Sequence, residues 1–299
     1  MTTSVIYADS TIGKVTDPRY VRLLTAADME LLRAAVSDPA EQPSHDPARL
    51  EELLRSPVIF EAVFRSDSGP LMSASPFLVF SVLVNQVARD LEHAAFVEEW
   101  LGPARTVPVF DVASLREFLA EASHRVFLAE LLASYTHVAS GSVWQRTARG
   151  WRCRRYSELD PVRLTQLLEV VPEAQRAGIC RRLGDLALFL SGVFPDYAAS
   201  HPLEARHVQR IHRLLEGTGL DAPSPPPDEL ARARGPQQGV WLLEWLGRRA
   251  YRLAIRAAGT PVGELRDIVD QFGRARRVLN ALTRDYLYPS RERWFPQAE

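Results

Sequence analysis

The stretch that decides the fold runs from Leu183 to Pro195 and reads Leu-Gly-Asp-Leu-Ala-Leu-Phe-Leu-Ser-Gly-Val-Phe-Pro. It is apolar on almost every side, which is typical of a helix in the centre of a fold. Asp185 lies near its start, and a carboxylate in such a place is costly unless a partner satisfies it. The stretch therefore predicts where the core lies and singles out one residue that needs a physical reason.

The composition is that of an ordinary globular protein. The chain has 299 residues, of which 46% are hydrophobic and 24% charged, and its formal net charge is −1. This charge disfavours a protein dominated by binding to polyanions. Lys14 is the only lysine, so 35 of the 36 basic residues are arginine. We attribute this bias to a GC-rich bacterial genome, and it weakens arginine content as evidence for nucleic-acid binding.

Cysteine use and hydropathy predict a cytoplasmic protein. Cys153 and Cys180 are the only cysteines, and two unclustered thiols suit a reducing compartment. The N-terminus lacks the basic start and apolar run of a signal peptide. The longest apolar stretches, at 77–84 and 186–194, are shorter than the ~20 residues that span a bilayer. We therefore expect no membrane partner.

The pattern along the chain predicts an all-α fold with one small β-hairpin around residues 143–156, where Val, Trp, Thr and Tyr flank a glycine turn. Caps, prolines and apolar spacing predict long helices over about 17–36, 75–101 and 111–138, and a last helix from 260 onward. The helices at 77–84 and 183–194 are expected to form the centre.

We predict a single helical domain over residues 1–299, because the segment after the Pro-rich stretch would bury little by itself. Its parts are an N-terminal arm with short helices (1–70), the core helices with the hairpin (71–216), a Pro-rich loop (217–236) and a C-terminal helix pair (237–299).

Asp185 has two competing interpretations. In the first, it is a structural acid that pairs with Arg181 or Arg182 or caps a helix. In the second, it is a buried acid with a shifted pKa that faces a ligand or a metal, as functional carboxylates often do.

A doubled Glu-x-x-His pattern underlies the metal hypothesis. At i,i+3 on a helix both side chains point to one face, and di-metal carboxylate proteins of the ferritin-like type use this motif twice. The sequence thus raises the alternative of a helical oxidase that binds iron or another transition metal. Its candidate ligands are Glu121, His124, Asp185, Glu204 and His207.

The hairpin carries a second candidate site, because basic and aromatic residues alternate along it. Such a ribbon can bind nucleic acid or another anion. The competing interpretation is a set of arginines stacked on Trp144 and Trp151. The candidate anion-binding residues are Arg149, Arg152, Arg154 and Arg155.

Three segments carry a family resemblance: Gly-Asp-Leu-Ala-Leu-Phe-Leu-Ser-Gly-Val-Phe-Pro at 184–195, Leu-Gly-Arg-Arg-Ala-Tyr at 246–251, and Phe-Gly-Arg-Ala-Arg-Arg-Val-Leu at 272–279. On these the chain resembles a family of uncharacterised helical proteins from actinobacteria and some other bacteria. The resemblance implies a helical fold and no particular activity.

The leading functional hypothesis is a binding or regulatory protein for a partner protein or a small ligand. The metal-dependent oxidase and the nucleic-acid binder are its alternatives. Whether the protein is an enzyme stays open at this point, because no phosphate-binding loop, nucleophile elbow or His-Glu-x-x-His motif occurs in the sequence.

Overall fold

The computed structural model describes residues 16–37, 42–64, 73–147, 150–201, 203–217, 235, 237–258 and 263–288. The predicted arm, most of the Pro-rich loop, Arg149 and the last residues of the chain lie outside these ranges. The helices are α1 Arg19–Leu23, α2 Ala26–Ala35, α3 Pro47–Leu54, α4 Pro57–Phe64, α5 Pro76–His93, α6 Val112–Ala120, α7 Ala122–Ser134, α8 Pro161–Gln166, α9 Glu173–Val193, α10 Pro195–Ser200, α11 Ala205–Glu216, α12 Gln237–Ala258, α13 Gly263–Asp270 and α14 Phe272–Leu282.

The mainly helical fold class is confirmed. A 3₁₀ turn over Leu167–Glu169 follows α8, and a π-helical turn over Thr283–Leu287 follows α14. Within the described ranges, none of the helices combines the length and the apolar character needed to span a membrane.

The predicted apolar helices form the centre of the molecule. Phe77–Val84 on α5 and Leu186–Val193 on α9 are buried without exception. Helix α9 packs most extensively against α12, and α5 packs against α7. One continuous core contains buried residues from Tyr20 to Leu287. The domain boundaries drawn from the sequence stay predictions.

Two β-hairpins are present in the described residues, one more than predicted. The predicted one consists of β3 Ser140–Thr147 and β4 Gly150–Ser157, paired antiparallel. The other consists of β1 Val97–Gly102 and β2 Arg105–Val109, also antiparallel. The prediction of a helix through residue 101 is therefore wrong. Helix α5 ends at His93, and Gly102 is the last residue of β1, before the turn at Pro103 and Ala104, instead of ending a helix.

The β1–β2 hairpin is held by charges that join it to α14. Arg276 donates to Glu99 Oε1 at 2.6 Å, and Arg277 lies 2.9 Å from Glu99 Oε2. The Arg276 side chain is only 8% exposed, so this pair is largely shielded from water. Glu99, in the middle of β1, therefore has an ion-pair partner from a distant part of the chain, which the sequence around Glu99 does not reveal.

The helix predicted over 111–138 is two helices, separated at Glu121. Side chains from the first turn of α7 bond to the backbone carbonyl groups at the end of α6. His124 Nδ1 lies 2.8 Å from the Phe118 carbonyl oxygen, and Arg125 donates to the carbonyls of Leu119 and Ala120. These bonds satisfy helix-end carbonyls that would otherwise be orphaned. The chain can therefore break here without leaving unpaired backbone groups.

Candidate functional site

Asp185 lies on α9 with its side chain only 14% exposed. Its Oδ1 accepts a hydrogen bond of 2.8 Å from the Tyr251 hydroxyl of α12, and its Oδ2 lies 3.9 Å from Arg181 Nε. Desolvation raises the pKa of the Asp185 carboxyl, and the Arg181 charge and the Tyr251 hydrogen bond offset only part of that rise. Burial and the adjacent carboxylate hold the pKa of Tyr251 well above its ordinary value, so its hydroxyl stays protonated and donates.

The approach of Tyr251 to α9 depends on Gly184. A Cβ at position 184 would lie 2.4 Å from Cδ1 of the Tyr251 ring, far inside van der Waals contact. The missing side chain therefore leaves the space that the ring occupies, next to the residue that accepts its hydrogen bond.

Asp185 forms part of the wall of a cavity of about 410 Å³ between α7 and α9. This volume falls within the range of small-molecule sites, ~300–1,000 Å³. One part of the wall is apolar and another carries four charged side chains, two acidic and two basic. We call this the Asp185 cavity, and its lining is Leu23, Phe77, Phe127, Glu130, Leu131, Ala133, Ser134, Arg181, Arg182 and Asp185.

The two arginines of the cavity differ in how firmly they are held. Arg182 lies 3.9 Å from the centroid of the Tyr135 ring, and donates to Ser134 Oγ at 2.7 Å and to Glu158 Oε2 at 3.1 Å. Arg181 is 42% exposed and lies 5.8 Å from the Phe127 centroid. Arg182 is thus a fixed cation, whereas Arg181 keeps the freedom to turn toward a bound group.

One residue of the cavity wall, Glu130, also belongs to an ion-pair cluster around Arg19. Arg19 of α1 lies 2.7 Å from Glu130 and 2.9 Å from Glu264, and it also pairs with Asp17. These contacts join α1, α7 and α13. They hold Glu130, which lines the cavity, against the N-terminal part of the chain.

The predicted metal ligands do not come together. Among the described residues, no group of three or more His, Cys, Asp or Glu side chains is arranged to hold a metal ion. Asp185 lines the Asp185 cavity, whereas Glu204 and His207 line a separate groove of about 790 Å³ bordered by α8, α10, α11 and α12. Of the five predicted ligands, only Asp185 lines the Asp185 cavity.

The geometry assumed for the two Glu-x-x-His motifs is wrong for a local reason. Glu121 and Glu204 are the residues that immediately precede α7 and α11, so neither glutamate lies within the helix that its motif was expected to occupy. Because a carbonyl only accepts, the Nδ1 of His124 carries the proton it donates to Phe118. Its Nε2 is buried with no hydrogen-bond partner in the described part of the chain.

The predicted anion-binding arginines lie on or next to the β3–β4 hairpin. Arg152 and Arg154 are in β4, where their backbones pair with Gln145 and Val143. Arg155 is exposed in the same strand. Their position on a hairpin agrees with the sequence pattern, whereas Arg149 falls outside the described residues.

The sequence pattern missed Tyr251, which donates a hydrogen bond to Asp185, and Glu130, which lines the Asp185 cavity. Tyr251 is 66 positions from Asp185 and is brought beside it by the packing of α12 on α9. A usable signal was the Gly184-Asp185 pair: a glycine next to an acid in an apolar helix indicates that a neighbouring group approaches closely.

Comparison with protein-family models, with curated proteins and with solved structures found no significant match to this chain. The resemblance to uncharacterised actinobacterial proteins accordingly stays a prediction. The functional argument rests on the site alone.

Proposed function

We propose that the protein binds a small zwitterionic ligand, of the α-amino-acid type with an apolar side chain, in the Asp185 cavity. The observation that carries this proposal is the carboxyl of Asp185, largely removed from solvent in the wall of a ligand-sized cavity. Its Oδ2 lies 3.9 Å from Arg181 Nε, which is beyond hydrogen-bond distance.

The charges of the wall favour a ligand with both signs. Glu130 is already paired with Arg19, and Arg182 with Glu158. Arg181 and Asp185, 3.9 Å apart, are therefore the cation and the anion of the wall that a zwitterion would match. A ligand ammonium would donate to Asp185 Oδ2, and a ligand carboxylate would accept from the half-exposed Arg181 guanidinium. Charge-assisted bonds of this kind are the strong ones.

The apolar part of the cavity wall favours a ligand with an apolar side chain. Phe77, Phe127 and Leu131 border the charged residues. An aliphatic or aromatic side chain would remove this surface from water, at ~25 cal/mol per Å² of apolar area. The combination of four charges with this surface is typical of sites in which a few polar groups orient a largely apolar ligand.

The position of the cavity suits a regulatory protein, because a bound ligand would affect the contact between the N-terminal helices and the central helix. Its wall combines Leu23 of α1 and Phe77 of α5 with residues of α7 and α9. A ligand bound here would contact the N-terminal helices and the central helix at once. Binding would therefore stabilise their contact by linkage, and the occupied protein would present a more rigid N-terminal surface. Exposed Cys153, present as a free thiol, is in line with a cytoplasmic location for this function.

Isothermal titration calorimetry with L-leucine, L-phenylalanine and L-tyrosine tests the proposal. Phenylpropionate and phenethylamine, which lack one of the two charges, serve as matched ligands and should bind at least tenfold more weakly than L-phenylalanine. Asp185→Asn and Arg181→Met should each weaken binding about tenfold or more, the loss expected for one charge-assisted hydrogen bond.

Arg33→Met is the matched control, because Arg33 is exposed on α2 away from the cavity. Its affinity for L-phenylalanine should equal that of the unmodified protein. The proposal fails if none of the three amino acids binds, or if binding is insensitive to both Asp185→Asn and Arg181→Met.

A further inference from the structure

One face of the β3–β4 hairpin consists entirely of exposed side chains. In the antiparallel register Trp144 lies opposite Cys153, and Arg146 lies opposite Trp151. Side chains two positions apart on a strand share a face, so Arg155 belongs to the same face. We call this the Trp–Arg face, with the members Trp144, Arg146, Trp151, Cys153 and Arg155, all exposed.

The two tryptophans of this face are unusually accessible. Trp144 is 63% exposed and Trp151 is 68% exposed, although Trp is highly buried on average. They are diagonal neighbours in the register, a relation that separates side chains by ~7–8 Å. Val143 and Tyr156, which alternate with the members of this face and point to the opposite side, are partly buried.

The charged residues of the hairpin are all of one sign. Residues 140–157 contain five arginines and no aspartate or glutamate, in a chain whose net charge is −1. Arg146 and Arg155 are exposed on the Trp–Arg face itself. A local cationic surface on a protein whose net charge is close to zero favours an anionic partner at that surface.

From these observations we propose that the Trp–Arg face binds single-stranded nucleic acid. Bases of an unpaired strand stack on Trp144 and Trp151, and Arg146 and Arg155 contact the phosphates. Positive charge alone would equally suit an acidic protein, but exposed tryptophan faces specifically match the flat π-surfaces of bases. A duplex keeps its bases stacked on one another and does not offer those surfaces.

Fluorescence anisotropy with labelled 12-nucleotide oligomers of deoxythymidine and of uridine tests this proposal at low salt. Trp144→Ala and Trp151→Ala should each raise the Kd about tenfold, within the range measured for base–aromatic stacking. Trp241→Ala is the matched control, because Trp241 is 44% exposed on α12 and should leave the Kd unchanged. Trp144→Phe should fall between the unmodified protein and Trp144→Ala, since a smaller ring still stacks.

The salt dependence separates the phosphate contacts from stacking. Arg146→Ala and Arg155→Ala should each lower the slope of log Kd against log salt concentration by ~0.7, the value for one phosphate contact on a single strand. Arg33→Ala, which removes the same charge from an exposed position on α2, should leave the slope unchanged.

Protection of Cys153 gives a readout that needs no substitution. This thiol is exposed on the Trp–Arg face, whereas Cys180 is buried. Bound oligonucleotide should slow the reaction of Cys153 with iodoacetamide at least fivefold. The proposal is overturned if oligonucleotide leaves that rate unchanged, if poly-L-glutamate or a DNA duplex binds as tightly as the single strand, or if both tryptophan variants bind normally.

Discussion

The close contact of α9 with α12 at Gly184 makes a sharp prediction about glycine-to-alanine substitutions. Alanine normally stabilises a helix relative to glycine, by ~0.8–1 kcal/mol. In Gly184→Ala the new Cβ would lie 2.4 Å from the Tyr251 ring, so the ring or the helix must move by roughly 1 Å or more to restore ordinary contact. Gly178 is on the same helix, and a Cβ there meets nothing within 4 Å.

The magnitude follows from three contributions. Overpacking a core costs ~1–3 kcal/mol. Displacing Tyr251 also removes its hydrogen bond to Asp185, at ~1.5–3 kcal/mol for a charged acceptor. Set against the gain in helix propensity, Gly184→Ala should lower the free energy of unfolding by ~1.5–5 kcal/mol. Gly178→Ala should raise it by ~0.5–1 kcal/mol, since only the propensity changes.

Urea unfolding followed by circular dichroism at 222 nm measures both variants, with near-ultraviolet spectra as a check that the transition is cooperative. In a Tyr251→Ala background, Gly184→Ala should lower the free energy of unfolding by less than it does in the unmodified protein, because the atoms that clash are then gone, and this coupling should exceed ~0.5 kcal/mol. Equal or greater stability of Gly184→Ala relative to the unmodified protein would refute the reasoning.

Three further predictions concern titratable groups. The pKa of Asp185 is raised in the folded protein. The contribution of this group to stability is therefore full below the unfolded pKa of ~3.9 and is lost as pH rises through the folded pKa. Urea titrations from pH 4 to 8 should show that Asp185→Asn removes this decline of stability with rising pH. The pKa of Glu99 is shifted in the opposite direction. Burial alone would raise its pKa, but the hydrogen bonds and charges of Arg276 and Arg277 lower it, so its contribution is present above the unfolded pKa of ~4.3 and is lost as pH falls. Glu99→Gln should therefore cost ~3–5 kcal/mol at pH 7 and flatten the acid limb of the stability curve, and an unchanged acid limb would contradict the assignment. Burial raises the pKa of Cys180 to about 11, so iodoacetamide at pH 8 should label Cys153 alone, as peptide mass spectrometry would reveal.

Local signals in the sequence determined the helical character and its most regular parts. Ser75-Pro76 starts a helix as predicted, and Asp160-Pro161 starts another, because the capping side chains bond to backbone N–H groups two or three residues away. The all-round apolar stretches at 77–84 and 183–194 became the core, since hydrophobic burial depends on composition more than on a particular partner.

Tertiary contacts decided the breaks between elements. The chain turns at Glu121 because Arg125 reaches back to the end of α6 and is paired with Glu51 of α3, both side chains being buried. The β1–β2 strands contain Glu98 and Glu99, whose polar pattern resembles a solvated helix end until Arg276 provides a partner. The partners Glu51 and Arg276 are too far along the chain from Arg125 and Glu99 for a short stretch of sequence to contain both members of either pair.

The candidate site shows the same division. The sequence alone singled out Asp185 as an acid that needed a reason and placed Arg181 one helical turn away. Only the tertiary structure decided that Tyr251 donates to it, and that Glu204 and His207 lie along a different groove. The physical reason is that helix spacing determines neighbours within one turn, whereas the packing of α9 against α12 and α7 determines which distant side chains share the cavity.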